Sequence, residues 1–196
     1  MRRVKIMSIP VKIMSIPEQE SPSQSRSNNV SFERERGVFG LRVTRDVAHA
    51  VVEVGGESLR AQRSLLVFKA LAEAEVPVFL VKIHSTAITL AFAGTDLALA
   101  SKILTDAGFK ATPRRDLALI AIRAASMREL PGIMTLIGDA LFSASAKLME
   151  IGDSHDSVLC LIEAERVAAA VEALCRQFNL LSSDVSEESL IAEAQE

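Results

Sequence analysis

The chain has 196 residues, of which 49% are hydrophobic, and a mean hydropathy of +0.26, so it can bury a sizeable core. Its 22 Lys and Arg against 25 Asp and Glu leave a net charge of −3, and it has no Trp or Tyr. This composition argues against a nucleic-acid partner, which would require a basic surface and stacking aromatic side chains. No apolar run reaches the length of a membrane span, so we expect no membrane partner and a cytoplasmic protein.

Residues 1–36 differ in composition from the rest of the chain. The heptapeptide VKIMSIP occurs twice in succession and is followed by the polar stretch EQESPSQSRSNNVSFERER. Because so few large hydrophobic side chains cannot offset the entropy of ordering, we predict a disordered tail over 1–36. The duplicated heptapeptide is interpreted as a short binding motif, a recent tandem duplication or a gene start placed too far upstream, and the sequence leaves the three open.

The next stretch alternates between strand and helix patterns. Gly55 and Gly56 interrupt a Val-rich strand, Pro77 prevents the first helix from continuing, and Gly108 ends the second helix. The predicted elements are strands at 37–45, 48–54, 76–83 and 87–93, a helix at 58–74, a helix from 97 to Gly108, and a closing edge strand that 109–113 leads into.

A second series of elements follows in the same order. They are a strand at 117–124, a helix at 131–142, strands at 146–151 and 157–163, a helix at 164–178 and a possible short strand at 179–181. The acidic end, DVSEESLIAEAQE, is predicted to be frayed or weakly helical. Cys160 and Cys175 lie in apolar segments and are predicted to be buried free thiols rather than a disulfide or a nucleophile.

The two series are copies of each other, offset by seventy residues. Residues 46–108 align with 116–178 without a gap, and apolar positions match throughout, as at Val52 and Ile122. The nine identical pairs are Asp46/Asp116, Ala48/Ala118, Leu66/Leu136, Ala70/Ala140, Leu71/Leu141, Ala74/Ala144, Ala98/Ala168, Ala100/Ala170 and Leu104/Leu174. The chain is therefore predicted to be two copies of one small βαββα module, because the period is too long for most solenoids.

Two such modules in tandem, each with a loop after its first strand, resemble a pair of ACT domains, and more closely the regulatory region of aspartokinases. The similar stretches are GVFGLRVTRDVAHAVVEV, FKALAEAEVPVFLVKIHSTAITLAF, MRELPGIMTLIGDAL, GDSHDSVLCLIE and VAAAVEALCRQFNL. The resemblance implies an α+β fold of two ferredoxin-like ACT modules (βαββαβ), with antiparallel sheets side by side and helices on one face. The implied domains are 37–113 and 114–181, between the tails 1–36 and 182–196.

The resemblance also implies a site for an amino acid. In ACT domains the loop after the first strand and the start of the first helix meet the second strand of a paired unit, and a helix N-terminus offers N–H groups to a carboxylate. The positions that match here, including those in the second strand and the hairpin, are Gly55, Gly56, Glu57, Ser58, Val78, His84, Ser85, Ser126, Met127, Arg128, Gly132, Ile133 and Ser154.

The chain departs from the family at several points. Phe79 and Met149 stand where members that bind amino acids often carry Asp, which argues against ordinary lysine or threonine binding. A Gly-rich phosphate loop with Lys is missing from the sequence, so we expect no phosphoryl transfer by this chain alone. His84 and His155 lie in hairpin loops and are expected to be solvated, and no catalytic residue, metal site or cofactor is predicted.

The sequence thus favours a non-catalytic, amino-acid-sensing regulatory protein, similar to the small regulatory subunit of some aspartokinases. Its expected partners are an amino acid, an aspartokinase-like catalytic chain and a second copy in a C₂ homodimer, since exposed strand edges favour pairing. Two alternatives stay open: a ligand-free scaffold for oligomerisation, and an aspartokinase that has lost its kinase domain.

Overall fold

Two long strands, β1 (Gly37–Glu53) and β4 (Ala111–Ala125), run antiparallel through the middle of a single sheet. The computed structural model describes residues 37–125, 130–154 and 156–189. Contacts divide the chain into the units Met1–Glu33 and Arg34–Glu196, and every described residue belongs to the second unit. The predicted tail over 1–36 lies outside the described residues.

The remaining elements up to the fourth helix follow the predicted order, and one further strand comes after that helix. The helices are α1 (Glu57–Glu73), α2 (Leu97–Asp106), α3 (Ile133–Ser143) and α4 (Val167–Phe178). The other strands are β2 (Leu80–Ile83), β3 (Ala87–Ala93), β5 (Leu148–Asp153), β6 (Ser157–Glu163) and β7 (Val185–Ser189). The sheet order is β2-β3-β1-β4-β6-β5, and β7 pairs with β1 in parallel.

Residues seventy positions apart form equivalent elements in the structure. Strand β3 maps onto β6 and the short 3₁₀ turn Gly94–Asp96 maps onto Ala164–Arg166, each without a shift. Helices α1 and α3 end at equivalent residues, Glu73 and Ser143. The two ferredoxin-like modules in tandem are confirmed, and the antiparallel strands of both join in one continuous sheet.

Alternate side chains of each strand point to opposite faces of the sheet, and each face has its own core. One face of the sheet packs on helices: α1 and α2 cover the strands of the first repeat, and α3 and α4 cover those of the second. The opposite face carries a cluster formed by strands alone, called here the strand core. Its buried members are Val47, Leu80, Ala91, Leu117, Leu119 and Leu161. The prediction of helices on one face is confirmed.

The packing crosses the expected boundary at residue 113. Leu41 and Val43, in the first half of β1, are buried against α3 and α4, in the core of the second repeat. The second half of β1, from Ala48 onward, belongs to the core of the first repeat. Each long strand therefore packs in the cores of both repeats. Residues 37–45 pack in the second repeat, although the first repeat follows them directly in the chain.

Three local predictions were wrong. Residues 111–113 begin the central strand β4 instead of forming an edge, because β1 extends far enough to pair with them. Asn179 has a left-handed backbone (φ 53) that ends α4, so 179–181 is a turn and not a strand. Val185–Ser189 forms β7 instead of fraying, since the first half of β1 offers it a parallel pairing partner.

Candidate ligand site between the two repeats

The sheet curls until its two edge strands, β2 and β5, come into contact. A Cβ placed on Gly152 would lie 2.9 Å from Leu80 Cδ1, so the Leu80 side chain lies directly against the Gly152 backbone. Beside this contact is a groove of about 780 Å³, called here the β2–β5 groove. Its lining residues are Phe79, Leu80, Val81, Lys82, Ile133, Met134, Ile151, Gly152, Asp153, Ser154, Val158 and Leu159. One wall thus comes from the first repeat and the others from the second.

A difference in helix length shapes this groove. Helix α1 begins at Glu57, whose equivalent is residue 127, whereas α3 begins at Ile133, six residues later in the repeat. Gly132 precedes α3 with a left-handed backbone (φ 78), and its carbonyl accepts the Thr135 N–H at 3.0 Å. The shorter helix places its first turn at the rim of the groove, where the Leu136 N–H also donates to the Gly132 carbonyl, at 3.1 Å, and the Ile133 N–H donates to the Leu130 carbonyl at 3.4 Å.

The groove is apolar with a few charged and polar groups at its edge. Lys82 contributes an ammonium group, and the exposed Asp153 contributes a carboxylate. Ser154 is held in the hairpin: its N–H donates to the Ser157 carbonyl at 2.8 Å, and its Oγ lies 2.7 Å from Ser157 Oγ. The remaining walls are hydrocarbon apart from backbone, which suits a small ligand with one apolar end and charges at the other.

A polar cluster on β2, β3 and β5 adjoins the groove at Lys82. The carboxylate of Glu150, whose side chain is 14% exposed, lies 3.8 Å from Lys82 Nζ and 3.9 Å from His84 Nε2. His84 Nε2 also lies 3.1 Å from Oγ1 of the buried Thr89. We call Lys82, His84, Thr89 and Glu150 the polar cluster; it connects the two edge strands through the Glu150 carboxylate.

His49 lies on β1, on the same face as the strand core. It is 6% exposed, and its Nδ1 has no hydrogen-bond partner in the described part of the chain. Burial lowers the pKa of His49; Glu150 acts in the opposite direction, and Arg114 lowers the pKa further. Arg114 is itself held by Glu163 at 2.6 Å. The neutral imidazole is therefore the form that the fold favours.

The sequence-predicted residues fall into separate groups. Ile133 and Ser154 line the groove, and Gly132 stands immediately before its helical wall. Val78 packs instead into the core of the first repeat.

The first-repeat set lies where α1 begins. Gly55, Gly56, Glu57 and Ser58 are exposed there, and the Gly55 N–H donates to the Thr86 carbonyl at 3.2 Å. That bond places the helix start beside the exposed hairpin that carries His84 and Ser85. Ser126, Met127 and Arg128 lie outside the described residues. A ligand role for the whole set stays a prediction.

Most residues that line the groove were not predicted as ligand contacts from the sequence. Leu80, Lys82, Gly152 and Leu159 were not predicted, since only the curl of the sheet brings β2 to β5. A signal was nevertheless present in the repeat. Gly152 and Leu159 stand where the first copy has Lys82 and Thr89, so the two copies differ in polarity and size at these equivalent positions.

Comparisons with known proteins agree with the earlier resemblance. No family model matches the sequence. Aspartokinase 1 of Bacillus subtilis (strain 168) is 28% identical over 148 residues, which make up 74% of this chain and 36% of that protein. The regulatory subunit of aspartate kinase from Thermus thermophilus superposes with a TM-score of 0.65 and 22% identity, over 73% of this chain and 99% of that chain.

A chain from the structure of aspartokinase alpha and beta subunits superposes with a TM-score of 0.67 and 20% identity, over 74% of this chain and 100% of that chain. The chain has the fold of the aspartokinase regulatory region. It spans about a third of the length of the curated aspartokinase that it matches, and nearly all of each regulatory chain. The resemblance stated from the sequence is confirmed.

Within 37–125, 130–154 and 156–189, His, Cys, Asp and Glu side chains form no group of three or more that could hold a metal ion. In the same ranges no helix has the length and apolarity needed to cross a membrane. The cysteines are free; Cys160 is buried and Cys175 half-buried.

Proposed function

We propose that the chain is a non-catalytic regulatory protein that senses an amino acid and controls an aspartokinase-like catalytic chain in the cytoplasm. The observation that carries the proposal is the fold: the chain superposes on 99% of one regulatory subunit of aspartate kinase, with a TM-score of 0.65. A chain of this fold that acts on a kinase does so by binding one of its conformations or assemblies more tightly.

The β2–β5 groove supports the sensing part of the proposal. It combines a helix start, a cation and a carboxylate with apolar walls, and these complement the parts of an amino acid. Because its walls come from both repeats, a bound amino acid stabilises one arrangement of the repeats over others. The effect on a partner is limited by the difference in affinity between those arrangements.

A homodimer is the assembly that we propose. Ile83 lies on the edge strand β2 and is 59% exposed. The backbone N–H and C=O groups of an edge strand can pair with those of a second copy, and C₂ symmetry closes such a pair. Sedimentation equilibrium tests this: a monomer at all accessible concentrations would contradict the dimer.

The experiment on function uses the full chain and the catalytic aspartokinase chain of the same genome. The two are co-expressed and purified through a tag on this chain, and the formation of aspartyl phosphate is measured with each amino acid added in turn. We expect co-purification and an activity that one amino acid changes. Separation of the two chains, together with rates that this chain does not alter, would contradict the proposal.

A second candidate function is a ligand-free scaffold for oligomerisation. Phe79 and Met149 favour it, because both pack against the strand core at positions where the resemblance leads one to expect an acidic ligand contact. A scaffold predicts dimerisation without any response to amino acids in thermal unfolding. A shift of several degrees with one amino acid would exclude it, since a ligand that binds only the folded state stabilises that state.

A further inference from the structure

Strand β7 pairs with residues Leu41–Arg45 of β1, on the side of β1 that β4 does not occupy. It runs parallel to β1, whereas the other strand pairs of the described sheet are antiparallel. Parallel pairing is slightly less stable per residue than antiparallel pairing. The chain reaches β7 from α4, so β7 covers an edge of β1 that the two repeats themselves leave open.

The β1 edge recognises β7 by charge and by shape. The Arg45 guanidinium donates to both carboxylate oxygens of Glu187, at 3.0 and 3.1 Å. Beside this pair, Arg42 Nη1 lies 4.0 Å from Glu188 Oε2. Val185 packs against the core of the second repeat. The edge therefore fits an extended segment in which an apolar residue precedes two carboxylates, as in β7.

Gly40 makes room for the backbone that enters β7. A Cβ placed on Gly40 would lie 2.9 Å from the Asp184 carbonyl oxygen, so a side chain at this position would collide with the entering chain. Seventy residues later the equivalent position holds Lys110, whose Nζ lies 2.6 Å from Glu53 Oε1. The two repeats thus differ at the point where an added strand would enter.

The equivalent edge of β4 is closed to a further strand. Residues 111–115 pair with β1, and no other described strand pairs with them. The Glu53 N–H donates to the Lys110 carbonyl, and backbone polar groups alternate sides along a strand, so Pro113 faces away from β1. Proline offers no N–H to an added strand. Pro113 corresponds to Val43, so of these two equivalent edges the one on β1 is suited to accept a strand.

The contacts that hold β7 break at low cost. The side chains of Arg45 and Glu187 are 44% and 58% exposed, so water replaces their interaction readily when β7 leaves. Six residues separate Phe178 from Val185, and when extended they span about 20 Å. A short segment held at an edge in this way is suited to exchange between copies, because the same contacts form between chains as within one.

We propose that β7 exchanges between two copies of this chain, so that β7 of each copy pairs with Leu41–Arg45 of the other. The inference rests on the homodimer proposed above and gives it a junction in which each copy adds a strand to the sheet of its partner. Arg45 of one copy then binds Glu187 of the partner subunit. A dimer joined at β2 alone, by contrast, leaves β7 on its own chain.

Charge reversal in two full-length chains tests the exchange. One chain carries Arg45→Glu and the other Glu187→Arg, so in each chain alone like charges oppose the pairing of β7, both within a copy and between identical copies. In a mixture, reciprocal exchange places opposite charges together at both junctions. After the two chains are mixed and incubated, we expect native mass spectrometry to show mixed dimers at least about fivefold in excess of random mixing.

The matched control uses Lys102→Glu and Asp106→Lys, which reverse the charges of an exposed ion pair within α2, and these chains should mix at random. Arg45→Glu with Glu187→Arg in one chain restores the attraction and should dimerise with itself as the unaltered protein does. Circular dichroism checks the fold of every variant. If a single variant unfolds, Arg42→Glu and Glu188→Arg repeat the test at the neighbouring pair.

Random mixing in a stable dimer, the result that pairing at β2 alone gives, would overturn the exchange and leave the homodimer standing. Monomers in every sample, the unaltered protein included, would overturn both. Co-purification of the unaltered chain with the catalytic chain is measured separately, so neither result decides the regulatory role.

Discussion

Asp46 and Asp116 occupy equivalent positions of the two repeats, and both have a left-handed backbone, with φ of 58° and 59°. They line one cavity of about 340 Å³ at the middle of the sheet, where the pairing of β1 with β4 shifts register between Thr44 and Val47. At these residues each long strand passes from the core of one repeat to that of the other. The left-handed residue thus lies where each long strand leaves one core and enters the other.

The first prediction concerns this turn. Asp46→Ala and Asp116→Ala should each lower the free energy of unfolding by about 1 kcal/mol, because a residue with a Cβ and no local hydrogen-bonding group is disfavoured in the left-handed region. Asp46→Gly should cost less than Asp46→Ala, since glycine adopts this conformation freely. Urea unfolding measures all three. Asp139→Ala, on an exposed helical position, is the control, with a change within about 0.5 kcal/mol.

The second prediction concerns the crossing strands. Leu41 is 1% exposed and packs in the core of the second repeat, so Leu41→Ala should lower the free energy of unfolding by about 2–5 kcal/mol. Leu181→Ala, at a 69% exposed leucine, should change it by less than about 0.5 kcal/mol. Hydrogen exchange should accelerate more in α3 and α4 than in α1 and α2. Faster exchange confined to α1 and α2 would contradict the observed packing.

The third prediction follows from His49. Burial lowers its pKa, so the folded state keeps the ring neutral while the unfolded chain binds a proton below its ordinary pKa near 6.5. Stability is therefore fully present above that pH and falls as pH decreases toward the lower pKa of the folded state. Between pH 7.5 and pH 5.5 the unfolded chain takes up this proton more readily than the folded state does, so stability falls over that range.

His49→Gln removes the titrating group and should reduce the difference in unfolding free energy between pH 7.5 and pH 5.5. Urea unfolding of both proteins at the two pH values measures that difference. An equal difference in both proteins would mean that His49 takes up its proton in the folded state as readily as in the unfolded chain.

The fourth prediction concerns the thiols. Burial raises the pKa of Cys160 to about 12 and also raises that of the half-buried Cys175. Since the thiolate is the reactive form, a thiol reagent at pH 8 should modify Cys175 slowly and Cys160 only after unfolding in guanidinium. Cys175→Ser should leave no reactive thiol in the native protein. Rapid modification of Cys160 in that variant would show that β6 opens locally.

Much of the fold could be predicted from the sequence because its signals are local. The period of the apolar residues predicted the four helices that the described residues form, and Pro77 and Gly108 lie shortly after the ends of α1 and α2. The seventy-residue offset, visible as identities such as Leu104 and Leu174, predicted the two modules, since two segments with the same pattern of apolar residues fold into similar units.

The candidate site could be predicted only in part. Ile133 and Ser154 were found because the resemblance points to a helix start and a hairpin, and both features are local. Phe79 was interpreted only as the loss of a ligand contact, yet it forms a wall of the groove. Its neighbour Leu80 meets Gly152 across the sheet, and no local pattern records a contact between strands so far apart in the chain.

By itself the sequence determined the two modules, their helices and strands and the position of the buried residues, because these depend on spacing along the chain. Only the tertiary structure decided that 37–45 packs in the second repeat, that β7 joins β1 and that β2 meets β5. Those outcomes depend on the twist and curl of one continuous sheet, where each contact becomes favourable once the others have formed. The groove between the repeats is a product of that closure.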